Sequence, residues 1–252
     1  MRFLLRLLQL IYFFYASLLF LVMMIPVVLF SALVAPLGAV RGGNLIYKAC
    51  RLWGDIWFPM VGIFHKNLGL DAAAEKKEYI YIANHISWLD AALVQQVFRQ
   101  PLRPLGKAET GKIPLFGFIY RKVVVLVDRT SAKARHRSVL RLKSVLRKGI
   151  SILVFPEGTF NETHEPTAHF YDGAFKVAIE TNTPIKPVVI LDSYARMPYD
   201  KTFSLNPGKS RAVFLEEISV DGLFIEDLDL LRELAKGKME AALREYGADW
   251  IR

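Results

Sequence analysis

The chain contains a single cysteine, Cys50, among its 252 residues. A lone cysteine excludes an internal disulfide and a cysteine-based metal cluster, and it fits a reducing compartment. Internal repeats and low-complexity linkers are also missing from the sequence. The length therefore suits one sizeable α/β domain with an appendage.

Charge is missing from a long stretch near the N-terminus. The 34 residues between Arg6 and Arg41 carry no charged side chain. As one helix they would be about 51 Å long, whereas the hydrocarbon core of a bilayer is about 30 Å thick. The apolar region of a cleaved signal peptide would be shorter. We therefore predict a helical membrane anchor over residues 1–65 and a catalytic domain over residues 66–252.

Basic residues flank the uncharged stretch on both sides, and such flanks favour the cytoplasmic face of a membrane. The flanking residues are Arg2, Arg6, Arg41, Lys48 and Arg51. We predict a bent anchor, kinked at Pro26, whose two ends lie on the same face. A single span is the alternative. The aromatic-rich segment 45–64 is predicted to be an amphipathic helix, either at the lipid headgroups or packed in the core.

Acidic residues are scarce relative to basic ones, which gives the chain a formal net charge of +9. Such a charge implies an anionic partner: nucleic acid, anionic lipid or a phosphorylated substrate. The segment Arg129–Lys148 holds eight lysines and arginines and no acid, and a helix with an apolar stripe is predicted over Ser131–Lys148. No aromatic residues interleave these charges, which disfavours nucleic acid. Anionic lipid and an acidic carrier protein remain as partners, and a merely solvated helix face is the alternative.

After residue 66, short β-branched or aromatic runs alternate with helical stretches. The predicted strands are Tyr79–Ala83, Val123–Val127, Ser151–Phe155 and Ile185–Leu191. This alternation favours an α/β fold in which a sheet is flanked by helices and ligands bind at the strand ends.

His85 and Asp90 follow the first predicted strand of this domain. On one continuous helix the two side chains would point about 140° apart. We therefore place His85 in a turn and Asp90 in the first helical turn, where the carboxylate can bind one ring nitrogen while the other faces substrate. The alternative is that Asp90 only caps a helix and His85 is an ordinary turn histidine. Ser87, two residues from His85, is a further candidate as nucleophile.

Polar residues also follow the other predicted strands. Glu157, Gly158 and Thr159 come directly after Ser151–Phe155, so that a carboxylate, a glycine and a hydroxyl lie at one strand end. Lys107 and Arg129 occupy turns elsewhere, where cationic side chains can bind phosphate oxygens. Surface salt bridges are the alternative for the last two.

The order and spacing of these motifs resemble the glycerolipid acyltransferase family, and within it the bacterial 1-acylglycerol-3-phosphate acyltransferases. The resemblance covers roughly Tyr79 to Ile190. It rests on Asn-His-x4-Asp at 84–90, Lys-x-Glu at 107–109, Asp-Arg at 128–129, Phe-Pro-Glu-Gly-Thr at 155–159 and the proline-flanked segment 183–188.

The resemblance implies a mixed sheet flanked by helices and direct acyl transfer from a thioester to an alcohol, in phospholipid biosynthesis. His85 would take the hydroxyl proton and Asp90 would fix the imidazole tautomer. The resemblance also implies that residues of the other motifs bind the substrate. These are Lys107, Arg129, Glu157, Gly158 and Thr159. The donor would be acyl-acyl carrier protein or acyl-coenzyme A, with no metal and no organic cofactor.

The implied reaction converts 1-acylglycerol-3-phosphate to phosphatidic acid at the inner (cytoplasmic) membrane, with the active site facing the cytoplasm. Two departures leave the acceptor open: Phe160 stands where family members often have arginine, and Tyr171 and Asp172 replace basic residues. Lys107, Arg129 or the nearby Lys176 could supply the missing positive charge. The alternatives are O-acylation of a lyso-aminolipid, a non-catalytic membrane lipid-binding module, and a metal-dependent hydrolase that uses His85, Asp90 and Glu157 as ligands.

Overall fold

The computed structural model describes residues 2–69, 77–127 and 132–252, with the side chains of residues 2 and 132–136 outside that description. The described residues form a seven-stranded sheet between two groups of helices. The strands are β1 (Ile63–Gly69), β2 (Ile80–Ala83), β3 (Arg103–Lys107), β4 (Val125–Val127), β5 (Ile152–Val154), β6 (Ile185–Ile190) and β7 (Gly208–Phe214). The helices are α1 (Arg2–Val34), α2 (Gly38–Met60), α3 (Asp90–Val97), α4 (Phe116–Val123), α5 (Ala132–Leu146), α6 (Gly173–Thr181), α7 (Ser193–Arg196) and α8 (Leu228–Glu245).

The sheet is mixed, as the family resemblance implies. Its strand order is β1-β7-β6-β2-β5-β3-β4, and β6 and β7 are the antiparallel neighbours within it. β2 pairs in parallel with β5, and β5 pairs in parallel with β3. The carboxyl ends of these three strands therefore lie at one edge of the sheet, where each delivers the residues that follow it.

Alternating side chains of the strands fill two cores on opposite faces of the sheet. In β2 and the residue before it, Tyr79 and Tyr81 belong to the core shared with α1, α2, α3 and α4. Ile80 and Ile82 point into the core shared with α5, α6 and α8. Because both faces are covered, this strand is apolar throughout, which made it recognisable in the sequence.

Four strands occur where the sequence predicts them, although each is shorter than its prediction. Val123 is the last residue of α4, and β4 begins only at Val125. The strands β1, β3 and β7 were not predicted, because their sequences mix polar residues, glycine and proline with few β-branched residues. Their pairing with distant strands supplies the stability that their own composition lacks.

The N-terminal residues form an antiparallel pair of helices, which corrects the predicted bend. α1 continues through Pro26 to Val34, and the chain turns only at the 3-10 segment Ala35–Leu37. The indole N–H of Trp57 donates to the carbonyl of Ala16 at 3.1 Å. Near the turn, a Cβ on Gly42 would lie 2.5 Å from the carbonyl oxygen of Val34, so the close approach requires glycine.

The ends of the uncharged stretch consequently do not meet. A 33-residue helix is about 50 Å long, and Arg41 lies beside its C-terminal end. Arg6 lies at the opposite end of α1 from Arg41. The bend therefore lies at Ala35–Leu37 and not at Pro26, and the placement of both flanks on one membrane face stays a prediction.

α2 packs against the sheet domain along its length, so the core-packed alternative for segment 45–64 is correct over most of that segment. Trp53, Trp57 and Phe58 are buried. The Tyr47 hydroxyl donates to the carbonyl of Phe98 at 2.8 Å. One hydrophobic cluster extends from α1 through α2 to the sheet. The division of the chain at residue 65 stays a prediction, and this shared core crosses it.

Arg103 fastens the turn of the helix pair to the sheet. Its buried guanidinium donates to the carbonyl of Ala39 at 2.9 Å, to the side-chain oxygen of Asn44 at 2.9 Å and to the carbonyl of Leu102 at 3.1 Å. A Cβ on Gly43 would lie 2.4 Å from this guanidinium. The α1–α2 pair therefore lies along the domain, because its turn and the C-terminal end of α2 are both attached to it.

Within the described residues, Phe3–Met60 is the one helical stretch long and apolar enough to cross a membrane. Only 22% of its most apolar part is buried in the protein, whereas a core helix of a soluble protein would be mostly covered. The exposed face of α1 carries many large apolar side chains. An apolar surface of this extent marks an interaction site, and lipid suits its composition.

Arg103→Ala tests whether the guanidinium holds the helix pair. We expect the free energy of unfolding to fall by about 1–3 kcal/mol, because the buried Leu102 carbonyl and the acceptors of Ala39 and Asn44 lose their donor. Limited proteolysis should then cleave within residues 35–44. The measurement is thermal or denaturant unfolding in detergent, with the exposed Arg147→Ala as control. Equal stability and proteolysis in Arg103→Ala and the parent would contradict this role.

Candidate active site

His85 lies in the turn after β2, and Asp90 is the first residue of α3. The ring nitrogen Nδ1 of His85 lies 2.8 Å from Oδ2 of Asp90. The same oxygen accepts the main-chain N–H groups of Ile86 and Ser87, each at 2.9 Å. The predicted turn-to-helix placement and the predicted contact are both confirmed, and Asp90 also holds the main chain of the turn.

This arrangement fixes which nitrogen of His85 is open to substrate. Asp90 is fully buried, and its carboxylate accepts a hydrogen bond from Nδ1–H. Nε2 therefore carries the lone pair in the neutral ring and makes no hydrogen bond with any residue of the described ranges. The His85 side chain is 20% exposed, so this nitrogen remains accessible. Such an imidazole can accept a proton from a hydroxyl group.

Aromatic rings enclose the imidazole. Phe155 stacks on His85 at 4.4 Å between centroids, and Phe160 contacts it edge-on at 4.4 Å. Trp88 and Tyr199 extend this cluster through Phe160, at 4.7 Å and 6.2 Å. The residue that replaces the family's arginine thus contributes an apolar wall beside His85.

Ser87 is not available as a nucleophile. Its hydroxyl donates to the carbonyl of Met197 at 2.6 Å and accepts the N–H of Leu89 at 3.0 Å. The residue is fully buried. Ser87 instead links the His85 turn to the loop that follows α7.

Glu157 lies behind the His85 turn. Its two carboxylate oxygens accept the main-chain N–H groups of His85 at 2.9 Å and Ala168 at 3.0 Å. The side chain is buried, with 2% of the residue exposed. Burial raises the pKa of Glu157 to about 7, against the lowering effect of its two backbone hydrogen bonds. These contacts occupy both oxygens that the sequence analysis assigned to substrate.

Gly158 and Thr159 follow Glu157 in the turn after β5. Gly158 has φ 72°, a conformation that favours glycine, and its N–H donates to the carbonyl of Phe155 at 3.0 Å. Thr159 is exposed. A tight turn therefore carries the Thr159 side chain to the surface beside the His85 turn.

Lys107 ends β3, two strands away from β2 at the same edge of the sheet. Its side chain is exposed. It pairs in register with Val127, the last residue of β4. Arg129, the second predicted cation, lies outside the described residues, two positions beyond Val127 in the sequence.

Two asparagines that support the turn were not predicted. The Asn161 N–H donates to the carbonyl of His85 at 2.7 Å. The Asn84 side chain exchanges hydrogen bonds with the main chain of Ile190 at 3.0 and 2.8 Å. The Asn-His pair at 84–85 was visible in the sequence, but its partner on β6 was not, because the contact spans 106 residues.

No group of three or more His, Cys, Asp or Glu side chains within the described ranges is arranged to hold a metal ion. For the hydrolase alternative, the oxygens of Glu157 point to main-chain N–H groups, and Oδ2 of Asp90 accepts three N–H groups. The observed geometry therefore supports proton transfer by His85.

Comparison with known proteins gives a consistent family. A family model described as Acyltransferase matches residues 66–191, half of the chain. A 1-acyl-sn-glycerol-3-phosphate acyltransferase of Chlamydomonas reinhardtii is 29% identical over 134 residues, 53% of this chain and 40% of that protein. The mouse 1-acyl-sn-glycerol-3-phosphate acyltransferase alpha is 27% identical over 232 residues, 89% of this chain and 80% of that protein.

Two further relatives bear on head group and fold. A lyso-ornithine lipid O-acyltransferase of Pseudomonas aeruginosa is 32% identical over 123 residues, 49% of this chain and 46% of that protein. The crystal structure of a 1-acyl-sn-glycerophosphate acyltransferase from Thermotoga maritima superimposes with a TM-score of 0.76 over 100% of both chains, at 22% identity. This likeness shows the same mixed sheet with flanking helices.

Asp90→Ala tests whether the Asp90 carboxylate stabilises the turn that carries His85. We expect it to lower the free energy of unfolding by about 1–3 kcal/mol or more, because the N–H groups of Ile86 and Ser87 lose a buried acceptor. His85→Ala removes a donor and leaves those two bonds intact, so its stability should stay close to the parent. Denaturant unfolding in detergent measures both. Equal destabilisation by the two substitutions would contradict the assignment of the turn to Asp90.

Proposed function

The chain belongs to the acyltransferase family, and we propose that it transfers a fatty acyl group from a thioester to the free hydroxyl of 1-acylglycerol-3-phosphate. The product is phosphatidic acid. The observation that carries the proposal is the His85–Asp90 pair with an open Nε2 at the carboxyl edge of the sheet. The relatives named 1-acyl-sn-glycerol-3-phosphate acyltransferase support the choice of acceptor.

The chemistry follows from the open nitrogen. Nε2 of His85 removes the proton from the acceptor hydroxyl as its oxygen attacks the thioester carbonyl carbon. The C–S bond breaks, and the leaving thiolate takes the proton from the imidazolium. Asp90 stabilises the imidazolium through the Nδ1 hydrogen bond, as in a hydrolase triad without the serine. No step requires a metal or an organic cofactor.

Lys107 and Arg129 are the proposed phosphate ligands. Lys107 is exposed at the edge that presents His85, and the register of β3 with β4 places the strand that precedes Arg129 beside it. Gly158 and Thr159 offer a tight turn and a hydroxyl at the adjoining strand end. Glu157 does not contact the acceptor directly in this proposal. It holds the His85 turn beside the Gly158–Thr159 turn.

The basic helix α5 is the proposed contact of the donor. It packs on the face of the sheet opposite to α1 and α2, which separates it from the lipid-facing helix. Arg137 and Arg141 are exposed on it, and Arg147 is exposed directly after its last residue. Its distance from the lipid-facing helix favours an incoming acyl carrier protein or coenzyme A thioester over lipid headgroups. Both donors are acidic and can bind a basic helix.

The α1–α2 pair is proposed to hold the enzyme on the inner membrane with the active site facing the cytoplasm. The loop after α7 connects the two regions. Its Phe203 contacts Phe13 and Phe14 of α1, and Met197 accepts the hydrogen bond from Ser87 in the His85 turn. Acyl chains can then remain in lipid while the glycerol reaches His85, which avoids a cost of about 0.8 kcal/mol per exposed methylene.

A second candidate acceptor is a lyso-aminolipid, favoured by the aromatic wall at Phe160. Ring faces bind ammonium groups. Burial and the carboxylates of Asp200 and Glu162 raise the pKa of Tyr199 in the same cluster, and Arg252 lowers it, so Tyr199 adds a neutral ring to this wall. The P. aeruginosa relative is named for such a lipid. The kcat/KM ratio for a lyso-aminolipid and lysophosphatidic acid decides between the two acceptors.

His85→Ala tests the proposed base. We expect kcat for acyl transfer to fall by about 10²–10⁴-fold, because a general base contributes about that factor. His169→Ala is the matched control, since His169 is exposed and its ring contacts Tyr171. Near-parental activity in a folded His85→Ala protein would refute the mechanism.

Lys107→Ala and Arg129→Ala test the phosphate ligands. Each should raise KM for lysophosphatidic acid by about 10- to 100-fold, since a hydrogen bond to a charged group contributes about 1.5–3 kcal/mol. Lys112→Ala removes the same charge from an exposed residue of the neighbouring turn and serves as control. An unchanged KM in both variants would contradict the assignment of Lys107 and Arg129 as phosphate ligands.

A further inference from the structure

We infer that Glu157 is a positioning residue for His85: its ionised carboxylate holds the main chain of the His85 turn, and activity depends on this bond. The inference rests on the proposed role of His85 as base. It assigns Glu157 a function different from the substrate contact that the sequence motif implies.

The geometry places Glu157 between two segments. One oxygen accepts the N–H of His85 at 2.9 Å, and the other accepts the N–H of Ala168 at 3.0 Å. Asn161, on the segment between Glu157 and Ala168, donates its N–H to the carbonyl of His85 at 2.7 Å. Both main-chain polar groups of His85 are thereby held by the chain that follows β5. A residue 2% exposed, with both oxygens occupied, reaches substrate only through His85.

The protonation state of Glu157 decides how well it can do this. An ionised carboxylate accepts on both oxygens, whereas a protonated one offers one good acceptor. Burial raises the pKa of Glu157 to about 7, and its two backbone hydrogen bonds lower it. Among charged neighbours, Asp90 on α3 raises this pKa and Lys236 on α8 lowers it. The imidazole of His85 lies on the turn that Glu157 holds.

Activity and stability therefore respond to pH in opposite directions. The pKa in the folded protein is raised above the ordinary value of 4.5, so the folded state binds the proton more tightly. The contribution of protonated Glu157 to the free energy of unfolding is fully present below pH 4.5 and is lost as pH rises through about 7. The ionised form that supports His85 is gained over the same range.

Glu157→Gln tests the inference by kinetics. The amide offers one acceptor and one donor, so one of the two N–H groups loses its partner. We expect kcat to fall by about 10- to 100-fold, as a misplaced base would produce, with KM for the acceptor unchanged. The acid limb of log(kcat/KM) against pH should be less steep by about one proton than in the wild type. Any titration of the substrate phosphate cancels in this comparison.

A second measurement does not depend on the acceptor. In ¹⁵N-labelled protein in detergent, the His85 amide proton should shift with pH around 7, and the shift should be smaller in Glu157→Gln than in the wild type. Any contribution from the His85 ring is common to the two proteins. Glu165→Gln, an exposed carboxylate on the same segment paired with Arg244, is the control for both readouts. Failure of the wild type to acylate lysophosphatidic acid would defeat the proposed function while leaving this readout intact.

Two results would overturn the inference. One is a raised KM with unchanged kcat in Glu157→Gln, which would return Glu157 to substrate binding. The other is an identical pH dependence of the His85 amide in the wild type and the variant. If Glu157→Gln fails to fold, the wild-type titration of the His85 amide still decides: no transition between pH 5 and 9 refutes it.

Discussion

One carboxylate oxygen organises this active site. Oδ2 of Asp90 accepts three N–H groups, from the His85 ring and from the main chain of Ile86 and Ser87. A buried charge is costly unless it is hydrogen-bonded. Three donors reach Oδ2, whereas the buried Oδ1 has no hydrogen-bond partner among the described residues. The same contacts fix the turn, orient the imidazole and leave Nε2 open. Fold stability and chemistry thus depend on one group.

In the proposed reaction, the sheet and the helix pair bring two kinds of substrate to that nitrogen. β2, β5 and β3 run parallel, so His85, Thr159 and Lys107 lie at one edge. On one face of the sheet, α1 and α2 present an exposed apolar surface, and Arg103 fixes their turn to β3. On the other face, α5 presents basic charge. Under the proposed function, a lipid acceptor and an acidic, water-soluble donor would approach from different sides.

The sequence was informative where local pattern determines structure. The apolar strand β2, the turn at His85 and the helix start at Asp90 follow from short-range periodicity and were predicted. Features that depend on distant pairing were not. Arg103 gave no signal of its contact with Ala39, 64 residues away. The motif around Glu157 indicated a polar strand end, but only the fold shows that this carboxylate faces the His85 main chain. The edge strand β1 was missed for the same reason.

The tautomer of His85 tests the central claim most directly. In protein labelled with ¹⁵N-histidine and held in detergent above pH 8, ring nitrogen shifts and two-bond ¹H–¹⁵N correlations distinguish the neutral forms. The account predicts a proton on Nδ1 and an unprotonated Nε2, with the distinction weakened when Asp90 is replaced by asparagine. A resting enzyme with the proton on Nε2 would contradict it, because that nitrogen could not then accept the proton of the acceptor hydroxyl.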